Sequence, residues 1–152
     1  ALRDGELQAV ATDHCPFTLP DKHRHAEFHG VPGGAPGIET RMGLLFDARR
    51  LPLERFVAVT ATEPARLFGL FPQKGAIAPG SDADLVISDP ERPQTISAAT
   101  HHMRVDYNPY EGRVVKGAPE VVLLRGRPIV ERGAFTGEAG TGRFLRRAPR
   151  PV

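Results

Sequence analysis

The feature that most constrains the fold is a short apolar run near the beginning of the chain. Residues 7–12 (LQAVAT) follow an Asp-Gly turn signal and run directly into Asp13, and Pro16 then stops them. Such a run is typical of a buried strand. A parallel strand needs neighbours on both sides, yet helical patterns follow this one. We therefore expect it to belong to a larger sheet whose other strands lie upstream of the first residue, which is not a methionine.

The next segments predict a long loop and then a helix. Residues 17–37 are polar and end in a stretch rich in proline and glycine. Loops of this length inside a compact domain are usually functional. Apolar residues at positions 38, 42, 45 and 46 have helical spacing and predict a helix over residues 38–50.

Two further helices are expected before residue 72. Pro52 suits the first position of a helix over residues 53–61. A Thr-Glu-Pro sequence at 62–64 predicts a break and a restart of the chain. Gly69 suits the C-terminal cap of the last helix.

The character of the sequence changes near residue 72, where short β-like runs begin to alternate with turn signals. The turn signals inside this part are Pro79-Gly80, Asp89-Pro90, residues 116–119 and residues 125–128. The last segment, residues 136–152, is rich in Gly, Arg and Pro and has no periodicity. The predicted strands are residues 84–88, 95–96, 113–115, 121–125 and 128–131.

These patterns predict an α/β chain in three parts. Residues 1–71 contain the strand, the long loop and the helices. Residues 72–135 form a small all-β unit, and residues 136–152 form an extended arm. A (β/α)8 barrel takes about 250 residues, so this chain can supply only its last strand and helices.

Composition excludes several classes of function. Apolar residues make up 40% and charged residues 25% of the 152 residues, as in ordinary globular proteins. The single cysteine, Cys15, excludes an internal disulfide and suits a reducing compartment, so we expect a cytoplasmic protein. No apolar run approaches the ~18 residues of a membrane span. A basic tail of Arg143, Arg146, Arg147 and Arg150 lacks interleaved aromatics, so we expect no nucleic-acid partner.

Three passages together resemble one enzyme family. Residues 74–86 (KGAIAPGSDADLV) resemble the amidohydrolase superfamily, at the point where its chain leaves the barrel and re-enters a small β-sandwich. Residues 11–17 (ATDHCPF), together with residues 100–102 (THH) and 106–112 (DYNPYEG), resemble the dihydropyrimidinases and hydantoinases. The likeness runs from residue 8 to about residue 144.

The resemblance implies a metal-dependent (β/α)8 barrel with two zinc ions at the C-terminal ends of its strands. Of the family's ligands, only the aspartate after the last strand is present here, as Asp13. The implied reaction is the hydrolysis of a cyclic amide: a hydantoin or dihydropyrimidine ring is opened to an N-carbamoyl amino acid by a metal-activated hydroxide. Asp13 would be a metal ligand and would carry the proton. The other ligands lie outside this sequence, so the isolated chain is expected to be inactive.

The resemblance also implies a substrate contact in the long loop. Where the family has Pro-Asn-Gly, this chain has Pro32, Gly33 and Gly34. A backbone amide or carbonyl at Gly33 can still bond a cyclic imide, because glycine allows close approach. The missing asparagine side chain leaves the identity of the substrate open. The family also implies a homotetramer in which the arm packs on a neighbouring subunit, by analogy alone.

Several histidines have two interpretations each. His14 is a metal ligand or a packing residue, and we favour packing because successive side chains of a strand point to opposite sides. His23 and His25 have metal-ligand spacing, but Lys22 and Arg24 add like charge in a polar loop, so we favour a solvated loop.

Two further groups of polar residues stay open in the same way. Four polar residues lie in the segment that would connect the barrel to the β-sandwich. They form either a second metal site or, as we favour, a hydrogen-bonded turn. Glu39 and Arg41 match the family pattern and would equally suit a surface ion pair. The clustered residues are His101, His102, Asp106 and Glu111.

Two rival functions remain open. An allantoinase or dihydroorotase would use the same chemistry on another ring, and residues 106–112 argue against it. A non-catalytic scaffold, as in the collapsin response mediator proteins, would keep the fold and lose the metal ligands. The presence of Asp13 argues for an enzyme.

Overall fold

The structure, a computed structural model that describes residues 1–148, consists of short helices followed by one antiparallel sheet. A 3-10 turn, Phe28–Gly30, lies between the first two helices. The helices are α1 (Leu19–Lys22), α2 (Arg41–Asp47), α3 (Leu53–Val57) and α4 (Glu63–Leu67), and the strands are β1 (Leu85–Thr95), β2 (Val114–Leu124), β3 (Arg127–Glu131) and β4 (Ala134–Phe135).

The predicted buried strand over residues 7–12 is not formed, and this expectation was wrong for the chain alone. The segment is extended, but its residues are exposed or half-buried, and no neighbouring strand in residues 1–148 pairs with it. Its amide at Val10 donates to the carbonyl of Val59 at 3.0 Å. The Arg41 guanidinium donates to the Val10 carbonyl at 2.5 Å. A parallel strand without partners cannot form a ladder, so one backbone hydrogen bond and the Arg41 side chain hold this segment instead.

The helical part is shorter and more continuous than predicted. The helix expected over residues 38–50 is formed only at Arg41–Asp47. Pro52 is the residue before α3 and not its first residue. No break occurs at residues 62–64, because a π turn, Ala58–Thr62, joins α3 to α4. Pro64 has no amide to donate to the fourth residue before it, and a wider turn accommodates that gap.

Gly69 ends the helical part as predicted. Its φ is +68°, and its amide donates to the carbonyl of Arg66 at 3.1 Å. Glycine reaches this left-handed conformation without the steric cost of a Cβ atom.

The sheet has fewer and longer strands than predicted. The strand order is β1-β2-β3-β4, and all pairs are antiparallel. The turns expected at Asp89-Pro90 and at residues 116–119 are not formed. These residues lie inside β1 and β2, where the register shifts between Ile87 and Ser88 and between Asp89 and Pro93. Bulges admit proline within a strand, because the residue without an amide is left out of the ladder.

Two tight hairpins complete the sheet. Arg125 and Gly126 connect β2 to β3 with φ values of +49° and +78°. Arg132 and Gly133 connect β3 to β4 with φ values of +51° and +83°. Two consecutive residues with positive φ are typical of the turn whose twist matches a hairpin. The turn at 125–128 was predicted, whereas β4 was not.

Helix α2 packs on β2 and joins the helical part to the sheet. The Lys116 amide donates to the Asp47 carboxylate at 3.0 Å. Gly117 has a φ of +94°, and a Cβ atom there would lie 2.7 Å from Cε1 of Phe46. The ring of Phe46 therefore packs directly on the backbone of β2. The buried apolar residues come from both parts: Val59, Ala65, Ile96, Val105, Val115 and Ala118.

The described part of the arm, residues 136–148, contains no helix or strand. It folds back on the chain at two points. The Arg125 guanidinium donates to the Thr141 carbonyl at 2.6 Å, and the Ala148 amide donates to the Gly69 carbonyl at 2.9 Å. Arg150 of the basic tail lies outside the described residues. No helix in residues 1–148 has both the length and the apolarity that crossing a bilayer requires.

Candidate functional site

Asp13 lies at the end of the extended segment, and its side chain is exposed. Its φ of +46° is in the left-handed region, which Asp and Asn tolerate better than most residues. Hydrogen bonds to its carboxylate are absent among residues 1–148. A non-glycine residue held in this conformation is more frequent at functional sites than elsewhere. The chain thus presents one carboxylate that the described fold does not otherwise use.

The glycine-rich loop lies directly against the residues that follow Asp13. His14 and Ala35 form an isolated parallel bridge, and the Cys15 amide donates to the Ala35 carbonyl at 3.4 Å. The loop that contains Gly33 and Gly34 therefore runs beside the segment that carries Asp13. Gly34 contacts Cys15, two residues after Asp13, whereas Gly33 itself contacts no side chain of this segment.

The two glycines differ in their surroundings. Gly34 has a φ of +119°, and a Cβ atom there would overlap the Cys15 carbonyl oxygen and lie 2.9 Å from the Cys15 Cβ. Gly33 is exposed, and a Cβ atom there would meet nothing within 4 Å. Close packing therefore requires glycine at position 34, whereas position 33 opens to its surroundings.

His14 fastens the loop to the Asp13 segment. Its Nδ1 accepts hydrogen bonds from the amides of Gly37 at 3.2 Å and Ile38 at 3.4 Å. Because Nδ1 is the acceptor, the neutral ring carries its hydrogen on Nε2. The side chain has the packing role that the sequence favoured.

Lys22 is a residue of this site that sequence analysis missed. Its Nζ donates to the carbonyls of Pro32 and Gly34, each at 2.5 Å, and lies 5.3 Å from the centre of the Phe17 ring. The sequence suggested only a like charge beside His23. The Thr-x-x-Asp pattern at residues 18–21 predicts a helix start and is the sequence signal that could have indicated this residue. The short helix that begins there carries Lys22, whose side chain reaches the loop.

Helix α1, which carries Lys22, is held at its first turn. Thr18 and Asp21 form a reciprocal capping box, with the Thr18 hydroxyl donating to the Asp21 carboxylate at 2.6 Å. The hydrogen bonds from the hydroxyl and the amide of Thr18 hold the pKa of Asp21 below its usual value. The Leu19 amide donates to the Asp106 carboxylate at 2.8 Å.

Two members of the polar cluster after β1 form hydrogen-bonded structure within their own segment, as predicted. His101 Nε2 is 2.8 Å from the Val105 carbonyl oxygen. Glu111 accepts from the Ser97 hydroxyl at 2.6 Å and from the Ala98 amide at 2.7 Å. His101 and Glu111 thus bond within this segment, whereas Asp106 and His102 bond to residues outside it. Within the described residues, the buried Nδ1 of His101 has no hydrogen-bond partner.

Glu39 connects this segment to the residues before α2. It accepts from the His102 ring at 2.8 Å and from the His102 amide at 2.7 Å. Burial acts to raise the pKa of the Glu39 carboxyl, but the bonds from His102 and Met103 outweigh it and hold the pKa below its usual value. Because Arg41 donates to Val10 instead, the surface ion pair between Glu39 and Arg41 was a wrong alternative.

The described residues do not complete a metal site. Within residues 1–148, no group of three or more His, Cys, Asp or Glu side chains is placed to hold a metal ion. His23 and His25 lie exposed in the polar loop, as the favoured interpretation held. A zinc site needs about four ligands, and Asp13 offers one. Asp13 therefore fits a zinc site as a single carboxylate ligand among others supplied from elsewhere.

Comparison with known proteins agrees with the motifs. Residues 1–129 match the amidohydrolase family. The chain is 47% identical to a D-hydantoinase of Streptomyces coelicolor and 49% identical to a D-phenylhydantoinase of Escherichia coli, over 97% of its own length in both cases. A D-hydantoinase (dihydropyrimidinase) structure from Thermus sp. superimposes with a TM-score of 0.95 at 48% identity and covers 99% of the chain.

This chain belongs to the amidohydrolase family, since the match covers most of its residues. The chain spans 32% of the Streptomyces relative, 33% of the Escherichia relative and 34% of the Thermus structure. What the described residues form is an α/β piece with one antiparallel sheet.

Proposed function

We propose that this chain is the C-terminal part of a hydantoinase-type enzyme that opens a cyclic amide. The substrate would be a hydantoin or a dihydropyrimidine, and the product an N-carbamoyl amino acid. The observation that carries this proposal is Asp13, an exposed carboxylate in a left-handed conformation that has no hydrogen-bond partner within residues 1–148 and precedes the residue that bridges to the glycine-rich loop. The relatives named as hydantoinases support the same reaction.

The proposed division of the chain has three parts. Residues 1–71 would supply the last strand, the site loop and the final helices of a (β/α)8 barrel. Residues 72–135 would be part of a small β-sandwich, and residues 136–152 would be an arm. The unpaired extended segment at 7–12 supports this division, because a partner strand on each side would complete its backbone hydrogen bonds.

The cofactor in this proposal is zinc, two ions in the complete enzyme, with Asp13 as one ligand. Bound zinc supplies Lewis acidity that makes water a nucleophile near neutral pH. Asp13 would orient that water, accept its proton during attack on the ring carbonyl carbon, and return the proton to the ring nitrogen that leaves. The attack would form a bond between the water oxygen and the ring carbonyl carbon, and the carbon–nitrogen bond of the ring would then break as the nitrogen takes the proton held by Asp13.

The substrate contact in this proposal is the backbone at Gly33 and Gly34. A cyclic imide presents both carbonyl and amide groups, and an exposed glycine backbone offers the complementary donor and acceptor. The absence of a side chain at Gly33 lets a planar ring approach closely.

The test uses the complete polypeptide that carries this chain, loaded with zinc. We expect ring opening of hydantoin or dihydrouracil, followed by the release of N-carbamoyl product. Asp13→Asn should lower kcat by about 10²–10⁴-fold, the range for a lost general acid–base group, while asparagine still tolerates the left-handed backbone. Asp89→Asn is the control, because Asp89 is exposed on β1 and its carboxylate accepts one hydrogen bond, from the Glu91 amide, which asparagine can also accept.

The outcomes separate the rivals. Hydrolysis of allantoin or dihydroorotate in preference to hydantoins would identify the enzyme as an allantoinase or a dihydroorotase. Absence of turnover on every ring, with zinc absent from the purified protein, would favour a scaffold. Near-normal turnover by Asp13→Asn would remove the proposed role of this carboxylate.

The remaining proposals concern the setting of the enzyme. We propose a cytoplasmic homotetramer, with a small cyclic amide as substrate and neither nucleic acid nor membrane as partner. The single cysteine supports a reducing compartment. Removal of residues 136–152 should lower the oligomeric state in sedimentation velocity if the arm packs on a neighbouring subunit.

A further inference from the structure

The ammonium group of Lys22 bridges two carbonyls that flank one residue. Its Nζ donates to the Pro32 oxygen and to the Gly34 oxygen at 2.5 Å each, and the residue between them is Gly33. The nearest carboxylate in sequence, that of Asp21, pairs with Arg24 at 2.7 Å instead. The charge of Lys22 is thus directed at the loop backbone and not at an acidic side chain.

The backbone groups of Gly33 are left free by this arrangement. Within the described residues, neither the amide nor the carbonyl of Gly33 has a hydrogen-bond partner, whereas the carbonyls on both sides are bonded to Lys22. A free, exposed donor and acceptor between two fixed carbonyls is an arrangement that suits a ligand.

We propose that Lys22 is a positioning residue that holds the backbone of Gly33 in the orientation that binds the substrate ring. This inference rests on the proposed function. Two consecutive glycines have more backbone freedom than any other pair, and ordering one residue costs about 1–2 kcal/mol of entropy. A bond from Lys22 to the carbonyl on each side removes that freedom before the substrate arrives.

Lys22 can perform this role because its own position is determined from two sides. The capping box of Thr18 and Asp21 fixes the first turn of α1, and the Asp106 carboxylate holds the Leu19 amide. The Phe17 ring lies under the ammonium group. The lysine therefore reaches the loop from a short helix that is anchored to the segment after β1.

The arrangement calls for a flexible cation with several donors. Methionine has a similar length but no donor, so Lys22→Met should release the loop. Arginine keeps the charge and the donors, so Lys22→Arg should retain most of the function. Lys116→Met is the matched control, because that lysine donates to the exposed Glu91 on the sheet.

The experiment compares these variants in the complete, zinc-loaded polypeptide. For Lys22→Met we expect KM for the cyclic amide to rise about tenfold, with kcat changed less than about threefold and zinc content unchanged. Lys22→Arg should keep KM within about threefold of the wild type, and Lys116→Met should leave both constants unchanged. An unchanged KM in Lys22→Met would overturn the proposal.

A second measurement tests the same lysine without activity. Hydrogen exchange of the peptide that covers residues 31–38 should become at least about fivefold faster in Lys22→Met and stay unchanged in Lys116→Met. Faster exchange with an unchanged KM would make Lys22 a structural residue only and would refute the positioning role. If the wild type hydrolyses no cyclic amide, the proposed function fails, while unchanged exchange refutes the bridge independently.

Discussion

The sheet and the segment that carries Asp13 are held together in different ways. In the sheet, strands β1 to β4 bond to one another, and two-residue turns close the hairpins. In residues 1–10, arginine side chains bond several backbone carbonyls: Arg55 donates to those of Leu2 and Leu7 at 2.7 and 2.6 Å, and Arg41 donates to that of Val10. A ladder spreads its bonds over many residues, whereas each side-chain bond depends on one residue.

Single substitutions should therefore have different effects in the two regions. An exposed ion pair on the sheet adds little to a ladder that is already complete. In a segment without a ladder, removing a side chain that donates to a backbone carbonyl leaves that carbonyl unpaired. The segment that carries Asp13 therefore depends more on single side chains than the sheet does.

The largest effect should come from the contact that joins the two parts. Gly117→Ala would place a Cβ atom against the Phe46 ring in a left-handed backbone conformation. We expect the free energy of unfolding to fall by about 3 kcal/mol, the sum of overpacking and backbone strain. Urea unfolding of the complete polypeptide measures it.

Gly112→Ala is the matched control for that contact. Its φ of +77° is also left-handed, but a Cβ atom there meets nothing within 4 Å. We expect a loss of about 1–2 kcal/mol from backbone strain alone. Equal losses at both positions would mean that Phe46 moves aside and that helix α2 does not depend on this contact.

The next effect should be local to the site. Gly34→Ala would press a Cβ atom against the Cys15 carbonyl, and we expect the loop to open with a cost of about 2–3 kcal/mol. Exchange of the amides of residues 31–38 should rise, while the sheet amides stay protected. Gly33→Ala, in open space, should leave exchange unchanged, and faster exchange there would show that the two glycines are not distinct.

Two arginine substitutions compare the loss of a side-chain bond to the segment before Asp13 with the loss of an ion pair on the sheet. Arg41→Met removes the donor to the Val10 carbonyl, and we expect a loss of about 2 kcal/mol, as for a hydrogen bond from a charged group. Arg92→Met breaks the ion pair with Glu120 on the sheet, and we expect a loss below about 1 kcal/mol. Similar losses in urea unfolding would contradict the contrast.

The smallest effect should depend on pH. Because the pKa of Glu39 is lowered in the folded chain, its contribution is complete above the ordinary value of 4.5 and disappears as the pH falls through the lowered pKa. Glu39→Gln should cost about 1 kcal/mol at pH 7, since the carboxylate is partly exposed, and the difference from wild type should shrink below pH 4.5. If the difference in the free energy of unfolding were constant between pH 3 and 7, the charge of the Glu39 carboxylate would not contribute to stability.

Local signals were interpreted correctly where a residue's own conformation decides the structure. Gly69 ends α4 and the Arg-Gly pair at 125–126 turns the chain, because both depend on φ values that glycine favours. The motif around Asp13 indicated the family, and residues 1–129 match it. The hydrogen-bonded turn of His101 follows from a side chain that bonds backbone four residues away.

The strands and the contacts of Lys22 depend on pairing between segments that are distant in the sequence. The apolar run at 7–12 has the pattern of a strand, but a strand exists only with partners, and residues 1–148 provide none for it. Asp89-Pro90 has the pattern of a turn, yet the partner strand absorbs it as a bulge. Lys22 reaches Pro32 and Gly34 only after α1 and the loop have folded together. The amino-acid sequence was enough to indicate the family through its motifs, and to indicate the turns at Gly69 and at Arg125-Gly126, because those turns depend on the conformation of one or two residues. Tertiary structure decided the strands and the setting of Gly33, because those depend on contacts that no local pattern encodes.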